Sequence, residues 1–430
     1  MADNDRQIPV HPGDHKIILL KRDVIPPFGF GRVIAPETLL ATNEEADSLI
    51  QADGAEPIGD VIDNVTIEFP LDPIGGAGAV ENDDNWGIGT DGIDAAQFWG
   101  RGVQGRGVRI GIADSGMDST HPTFADLVAN GRLVGFAHFD KQGQKVLQRR
   151  PDNSIIPDAE AVPTFGHWHG THCAAVLVGQ PTEGKMRGVA PDAELVVTRV
   201  LELANEGSVA GILAGLWWLT TQACDVVSLS LGWPGLHEEW AAPISALLDA
   251  GVVVIAAVGN EFNAAGVAKS RSPANYLSIP QDSNAGVLIP VGAHDRLGAV
   301  WDDSGGEIVD WSQVRVQQTN GTTRPSVFAS IPPRIVPSMV APGVDIISAA
   351  PLSKYLSSPG SSMATPHVAG LIALTLSELR ARDPGALPRT AANLVLDSLR
   401  DLPPLGPDTR SGAGRIDNNI LTEKIALAII

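Results

Sequence analysis

An α/β fold built on a parallel sheet is predicted by three observations. The chain of 430 residues is 43% hydrophobic but only 5% aromatic, enough apolar material for one large core and a smaller unit beside it. Short apolar runs of strand length alternate with segments of helical length and spacing, the rhythm of βα units. Two polar residues able to do chemistry, Asp114 and Asn260, directly follow such runs, and the carboxyl ends of parallel strands are where an open sheet leaves a crevice.

Taken in order, residues 1–85 stand apart from the rest. The stretch 15–23 (HKIILLKRD) reads as a strand, Thr42-Asn43-Glu44-Glu45 has capping-box spacing ahead of a short helix, and 61–69 (VIDNVTIEF) alternates as a strand does. A small N-terminal α/β extension is expected there, followed by a flexible acidic linker at 75–84 (GGAGAVENDD). Further on, strands are expected at 194–200, 225–231, 252–258 and 287–291, with helices at 209–224 and 238–249. The segments 141–163 and 301–337, polar and containing prolines, read as surface loops. An apolar run at 368–376 reads as a buried helix and 390–402 as an amphipathic one.

Composition excludes some partners. Lys and Arg total 30 against 50 Asp and Glu, a net charge of −20. Such a surface repels phosphate backbones and anionic bilayers, so neither nucleic acid nor a membrane is expected as partner, and the acidity reads first as a solubilising surface. Two cysteines, Cys173 and Cys224, imply no disulfide framework. Residues 1–14 lack the basic and apolar regions of a signal peptide, and no run approaches the roughly 18 apolar residues of a spanning helix. A cytoplasmic location is the expectation, with secretion the alternative if a leader precedes this sequence. Oligomeric state is not legible.

The candidate chemistry centres on Gly360-Ser361-Ser362-Met363-Ala364-Thr365-Pro366-His367. Ser362 is expected to open the apolar helix as its N-cap, beside unpaired backbone N–H groups that stabilise negative charge. An ordinary cap is the alternative, unless a base and an acid exist elsewhere. Both do: a short apolar run ends in Asp114, and His169 lies within Phe165-Gly166-His167-Trp168-His169-Gly170-Thr171-His172. A serine hydroxyl becomes a nucleophile when an imidazole removes its proton, and the imidazole needs a carboxylate to hold it. The order Asp, His, Ser along the chain is that of subtilisin.

The blocks IADSGMDSTHP, HGTHCAA, SLSLG, AAVGNE and GSSMATPHVAG closely resemble those of the subtilisin-like (subtilase) serine peptidases, in that family's order and over roughly residues 86–420. The resemblance implies a doubly wound, mostly parallel sheet with helices on both faces for a catalytic domain at 86–430, and it makes residues 1–85 an N-terminal extension with the size of an inhibitory prodomain, the alternative being an extension that merely packs on the catalytic domain. It implies a serine endopeptidase acting on protein or peptide substrates, with Asp114 as orienting acid, His169 as general base, Ser362 as nucleophile and Asn260 as side-chain oxyanion donor. Ser230, Leu231, Gly232 and Gly207 match segments whose backbone the family pairs with an extended substrate. Spacing from Asn260 to the Ser272-Pro273-Ala274-Asn275-Tyr276 block sets Arg271 near the floor of the primary specificity pocket. A guanidinium there favours an acidic side chain before the scissile bond, unless Arg271 points to solvent or pairs with Glu261 at the rim, which leaves an apolar preference.

The same resemblance carries departures. His167 and His172 are expected to be structural or surface groups, and Cys173 matches the free cysteine of proteinase K-like and thiol-dependent members. Ser361 stands for the usual threonine, Val258 for alanine, and the bulky Trp168 precedes the base. The chemistry requires no cofactor and the sequence shows no His/Cys metal cluster. Structural calcium is left open, because Thr123 occupies a position where many relatives place a ligating aspartate. The rival functions are a subtilase fold kept for binding, an esterase with the same triad, and a highly selective processing protease.

Overall fold

The structure is a computed structural model of the chain, and it describes residues 85–182, 188–202, 206–276, 285–317 and 322–428 together with four strands of the first 84 residues. Those four are β1 (His15–Leu20), β2 (Thr38–Thr42), β3 (Ala55–Val61) and β4 (Thr66–Glu68). β1 lies antiparallel between β2 and β3. The strand expected at 15–23 is β1, whereas the one expected at 61–69 is the end of β3 and the separate β4. Thr42 closes β2, and the helix expected after it lies outside the described residues, as does the linker at 75–84.

The larger unit carries β5 (Arg109–Asp114), β6 (Leu133–His138), β7 (Glu194–Arg199), β8 (Glu206–Ser208), β9 (Val226–Leu229), β10 (Trp233–Pro234), β11 (Val253–Ala257), β12 (Arg271–Ser272) and β13 (Leu288–His294). Then come β14 (Glu307–Val309), β15 (Arg315–Gln317), β16 (Thr323–Pro325), β17 (Arg334–Val336), β18 (Met339–Pro342), β19 (Ile346–Ala350), β20 (Lys354–Ser358), β21 (Leu399–Arg400) and β22 (Arg415–Ile416). Its principal helices are α1 (Trp168–Val178), α2 (Val209–Thr220), α3 (Ala241–Asp249), α4 (Ser361–Arg380), α5 (Pro388–Leu396) and α6 (Asn418–Ala428). No helix among the described residues is long and apolar enough to cross a membrane.

Nine strands form one sheet in the order β21-β22-β18-β13-β11-β9-β5-β7-β6. All neighbours are parallel except β21 and β22. The strands read as apolar runs because both faces of the sheet are covered. Ile110, Ile112, Val253 and Ile255 enter one core cluster with Cys173 and Val176 of α1 and Val368 and Leu371 of α4. Their neighbours Ala113, Val254 and Ala256 enter a second cluster with Ile212 and Leu216 of α2 and Ile244 and Leu247 of α3. Each strand thus alternates between two cores, and helices cover both faces, the doubly wound arrangement. Each fully buried Val, Leu or Ile contributes about 1.5–3 kcal/mol. The strand order reverses at β5: the chain runs out to β6, returns through β7, then crosses to β9 on the other side.

Two expectations are corrected. Segment 301–337 is more than surface loop: β14 pairs with β17 and β15 with β16, and Trp311 is fully buried among Tyr276 and Phe328, ring centroids 4.8–5.9 Å apart. Burying those rings outweighs the turn signals around them. The helix expected at 390–402 ends at Leu396, because Leu399 and Arg400 pair antiparallel with β22 and close the sheet edge. Segment 141–163 contains no strand or helix and exposes Val146, Leu147, Ile155 and Val162. An ion pair from Lys145 to Asp158 at 2.7 Å closes the segment on itself, and a hydrogen bond from Trp218 to the same carboxylate holds it to the domain.

Candidate active site

Asp114 is the last residue of β5 and is wholly buried. Its Oδ1 accepts from the Ser115 backbone N–H at 2.6 Å and from His169 Nδ1 at 2.8 Å, while Oδ2 lies 3.0 Å from the same Nδ1. An ionised carboxylate only accepts, so Nδ1 carries the imidazole proton and Nε2 keeps the lone pair of a base. His169 is the second residue of α1, whose N-terminus is capped by the His167 ring accepting from the His169 N–H. Ser115, which the motif reading passed over, locks the two elements together. Its hydroxyl donates to the His167 carbonyl at 3.1 Å and accepts from the Gly170 N–H at 2.9 Å. The signal was a hydroxyl next to a strand-terminal carboxylate.

Gly170 lets helix and loop meet this closely. A Cβ there would lie 2.1 Å from the Gly116 carbonyl oxygen and 3.0 Å from Asp114 Oδ1. Gly116 is glycine for a related reason: its φ is +85°, and a Cβ would fall 1.9 Å from the Thr164 carbonyl.

The expectation that Ser362 caps its helix is corrected. Gly360 is the N-cap, at φ 148°, and Ser362 is the second residue of α4, which starts seven residues before the apolar run. The run marked only the part of the helix facing the core. Pro366 sits four residues after Ser362, inside the helix, and has no N–H to give the Ser362 carbonyl. That carbonyl accepts instead from Ser230 Oγ at 2.7 Å, with the Cys173 thiol 3.6 Å away. The nucleophile's backbone is therefore pinned from outside its own helix, and Pro366 was the sequence signal for it. Ser362 Oγ donates to the Ser230 carbonyl at 3.2 Å, and the residue is 2% exposed.

Asn260 follows β11 and is half-buried. Its Oδ1 accepts from both the backbone N–H and the hydroxyl of Ser361, each at 2.9 Å. This fixes the carboxamide so that Nδ2, a pure donor, is the end presented elsewhere. Ser361, in place of the usual threonine, keeps the hydroxyl and so keeps the lock. Its oxygen also accepts from the Gly259 N–H at 3.1 Å.

Ser230, Leu231 and Gly232 continue from β9 into β10, which pairs with β12. Gly207 lies in β8, and β8 is paired antiparallel with β4, Ile67 opposite Gly207. Arg271 is only 3% exposed, and its Nε lies 3.1 Å from both carboxylate oxygens of Glu261, with Nη2 also on Oε1. Trp168 is half-buried, its ring tilted against His169 at 5.7 Å and edge-on to His172 at 5.7 Å. His172 is fully buried, with Nε2 3.1 Å from the carbonyls of Ile346 and Leu356, tying α1 to β19 and β20.

Among the described residues, Asp114, His169 and Cys173 form a group whose donor atoms lie close enough to hold a metal ion, but the carboxylate and Nδ1 are hydrogen-bonded to each other. Thr123 does not fit calcium either. It offers no carboxylate, and its hydroxyl donates to the Gln180 carbonyl at 2.6 Å.

A family model described as the subtilase family matches residues 105–414. The chain is 31% identical over 290 residues to an intracellular serine protease of Paenibacillus polymyxa, covering 66% of this chain and 71% of that protein. It is 29% identical over 286 residues to subtilisin DY of Bacillus licheniformis, covering 66% and 82%. The major intracellular serine protease of Bacillus subtilis is likewise 29% identical over 286 residues, covering 66% and 73%. The matched stretch contains the paired Asp114 and His169, the pinned Ser362 and the locked Asn260, and the chain belongs to the subtilase family.

Proposed function

We propose that this chain is a serine endopeptidase in which Ser362 attacks the scissile carbonyl while His169 Nε2 takes its proton. The proton then passes to the leaving amine, leaving an acyl group on Ser362; His169 next deprotonates a water that releases the acid and restores the serine. Asp114 orients the imidazole and stabilises its cation. Asn260 Nδ2 and the Ser362 backbone N–H receive the oxyanion, a donor whose loss costs about 10²–10³ in turnover, a magnitude taken from a subtilisin rather than derived from this chain. The observation that carries the reading is the buried Asp114–His169 pair at 2.8 and 3.0 Å, which leaves Nε2 as the basic nitrogen.

Protein or peptide substrates would lie extended, pairing their main chain with 230–232 on one side and Gly207 on the other. The test is a fluorophosphonate probe together with hydrolysis of casein. Wild type should label and cleave, and Ser362→Ala should do neither while keeping its circular dichroism. Cleavage by that variant at the wild-type rate would remove the assignment; labelling of wild type without any peptide hydrolysis would favour an esterase, and neither labelling nor hydrolysis would favour a binding scaffold.

Residues 1–85 are read as a restraint on this site, ahead of a catalytic domain at 86–430. Support comes from β4: it pairs with β8 in the register Thr66 to Ser208, Ile67 to Gly207 and Glu68 to Glu206, on the edge proposed for substrate.

A further inference from the structure

The gap beside the oxyanion donor is already full. On the peptidase reading, a scissile carbonyl held between Ser362 and Asn260 lies beside the segments 230–232 and 258–260, since Ser362 Oγ meets the Ser230 carbonyl, and the side chain next to that carbonyl is read as entering between them. Both segments turn a glycine toward that gap, and both glycines are buried without any substrate. The filler is the stem of Arg271. A Cβ on Gly232 would lie 2.8 Å from Arg271 Cβ, and one on Gly259 would lie 2.9 Å from Arg271 Cγ and 2.5 Å from Glu261 Oε2. At the end of the stem the guanidinium meets a Glu261 carboxylate whose side chain is 7% exposed. Oε2 of that carboxylate also accepts from the Asn260 backbone N–H at 2.9 Å.

We propose that the Arg271–Glu261 pair is a fixed plug in the primary side-chain slot, so that the enzyme cleaves only after small residues such as Gly, Ala and Ser. The inference rests on the peptidase reading above. Three features make the plug fixed. The stem is held between two glycine walls, the guanidinium is bonded through Nε and Nη2, and the carboxylate is tied to the backbone of Asn260. A large side chain must displace a buried ion pair, a penalty on the order of 10²-fold or more in rate. An acidic side chain gains nothing from Arg271, because Glu261 already neutralises it and would repel a second carboxylate. The preference for Asp or Glu expected from the position of Arg271 alone is replaced by a preference set by volume.

The experiment is a peptide-library cleavage profile of the wild-type protein, read beside fluorophosphonate labelling and casein hydrolysis. Small residues should dominate before the scissile bond, with kcat/KM for an Ala substrate exceeding that for its Phe counterpart by at least about tenfold. In Glu261→Gln/Arg271→Gly the slot opens without stranding a buried carboxylate, and the Phe-to-Ala ratio should rise by about tenfold or more. If that variant does not fold, inactivation of wild type by peptidyl phosphonates carrying Ala or Phe decides: the Ala reagent must be faster by a similar factor. Enrichment of Phe, Leu, Asp or Glu in wild type, or an unchanged ratio in the folded double variant, overturns the plug while leaving the peptidase standing. Absence of labelling and of any cleavage instead overturns the peptidase reading itself.

Discussion

Cys173 shows how position alone gives an inert side chain a consequence. It lies four residues after His169 on α1, one helical turn on, and is completely buried, with Sγ 3.9 Å from His169 Nδ1 and 3.6 Å from the Ser362 carbonyl. Burial raises its pKa, only partly offset by His169, so the thiol stays protonated and is no nucleophile. Its Sγ nevertheless sits between base and nucleophile. A mercurial bound there should abolish peptide hydrolysis, and Cys173→Ala should remain active yet resist the reagent. Loss of all activity in Cys173→Ala, or mercury sensitivity equal to wild type, would count against this. Cys224 supplies the internal control: buried away from the triad, its thiol is pushed up to about 12.

At the scale of elements, catalysis depends on how closely α1 approaches the loop after β5. The Ser115 hydroxyl bridges the two, and Gly170 leaves no side chain in the way. Gly170→Ala should therefore push α1 off the aspartate loop, destabilising the fold by about 1–3 kcal/mol and lowering kcat more than it raises KM. Chemical denaturation and steady-state kinetics together check this; wild-type kcat in a destabilised variant would show that the contact serves folding alone. The other end of the site is held by α4. Pro366 frees the Ser362 carbonyl for Ser230, and Arg380 in the last turn binds Asp225 at 2.6 and 2.9 Å, which stops the helix sliding along the sheet.

Over the whole molecule, two buried histidines set an acid limit. His367 donates from Nδ1 to the Met363 carbonyl at 2.7 Å and meets Asn85 at Nε2, while His294 closes β13 beside Trp86. Burial lowers both to about 4 from 6.5. Between those values the unfolded chain binds more protons than the folded one, so stability rises with pH: it is fully present above about 6.5 and is lost as pH falls toward 4. Each group accounts for roughly 3 kcal/mol of that loss. Urea melts at pH 7, 5.5 and 4.5 should show a falling midpoint, and a flat profile would contradict it. The extension makes its own prediction at this scale. With β4 lying on the β8 edge, activation should accompany cleavage within residues 75–84, and N-terminal sequencing of fully active enzyme should begin near there. An original N-terminus in fully active protein would remove the inhibitory role.

Much was legible from residues alone, because local chemistry leaves local marks. Apolar runs buried on both sheet faces announced β7, β9, β11 and β13, and Asp114 was expected at the carboxyl end of a strand, where it stands. Asp114, His169, Ser362 and Asn260 each sit in a block whose neighbours are dictated by the backbone they need, such as the glycine after His169. Where sequence reading went astray, the deciding feature was a backbone conformation or a distant contact. Ser362 is not the cap of its helix because Gly360 takes that conformation. Trp311 leaves the surface because Tyr276 and Phe328 are waiting for it. Arg271 shows what residues alone leave open. Its charge suggested either an acidic preference or a pair with Glu261, and the structure makes the pair, while the glycines packed on its stem come from two segments, one at Gly232 and one at Gly259. Only folding brings Gly232, Gly259, Glu261 and Arg271 to one place, and only there does a cation become a plug.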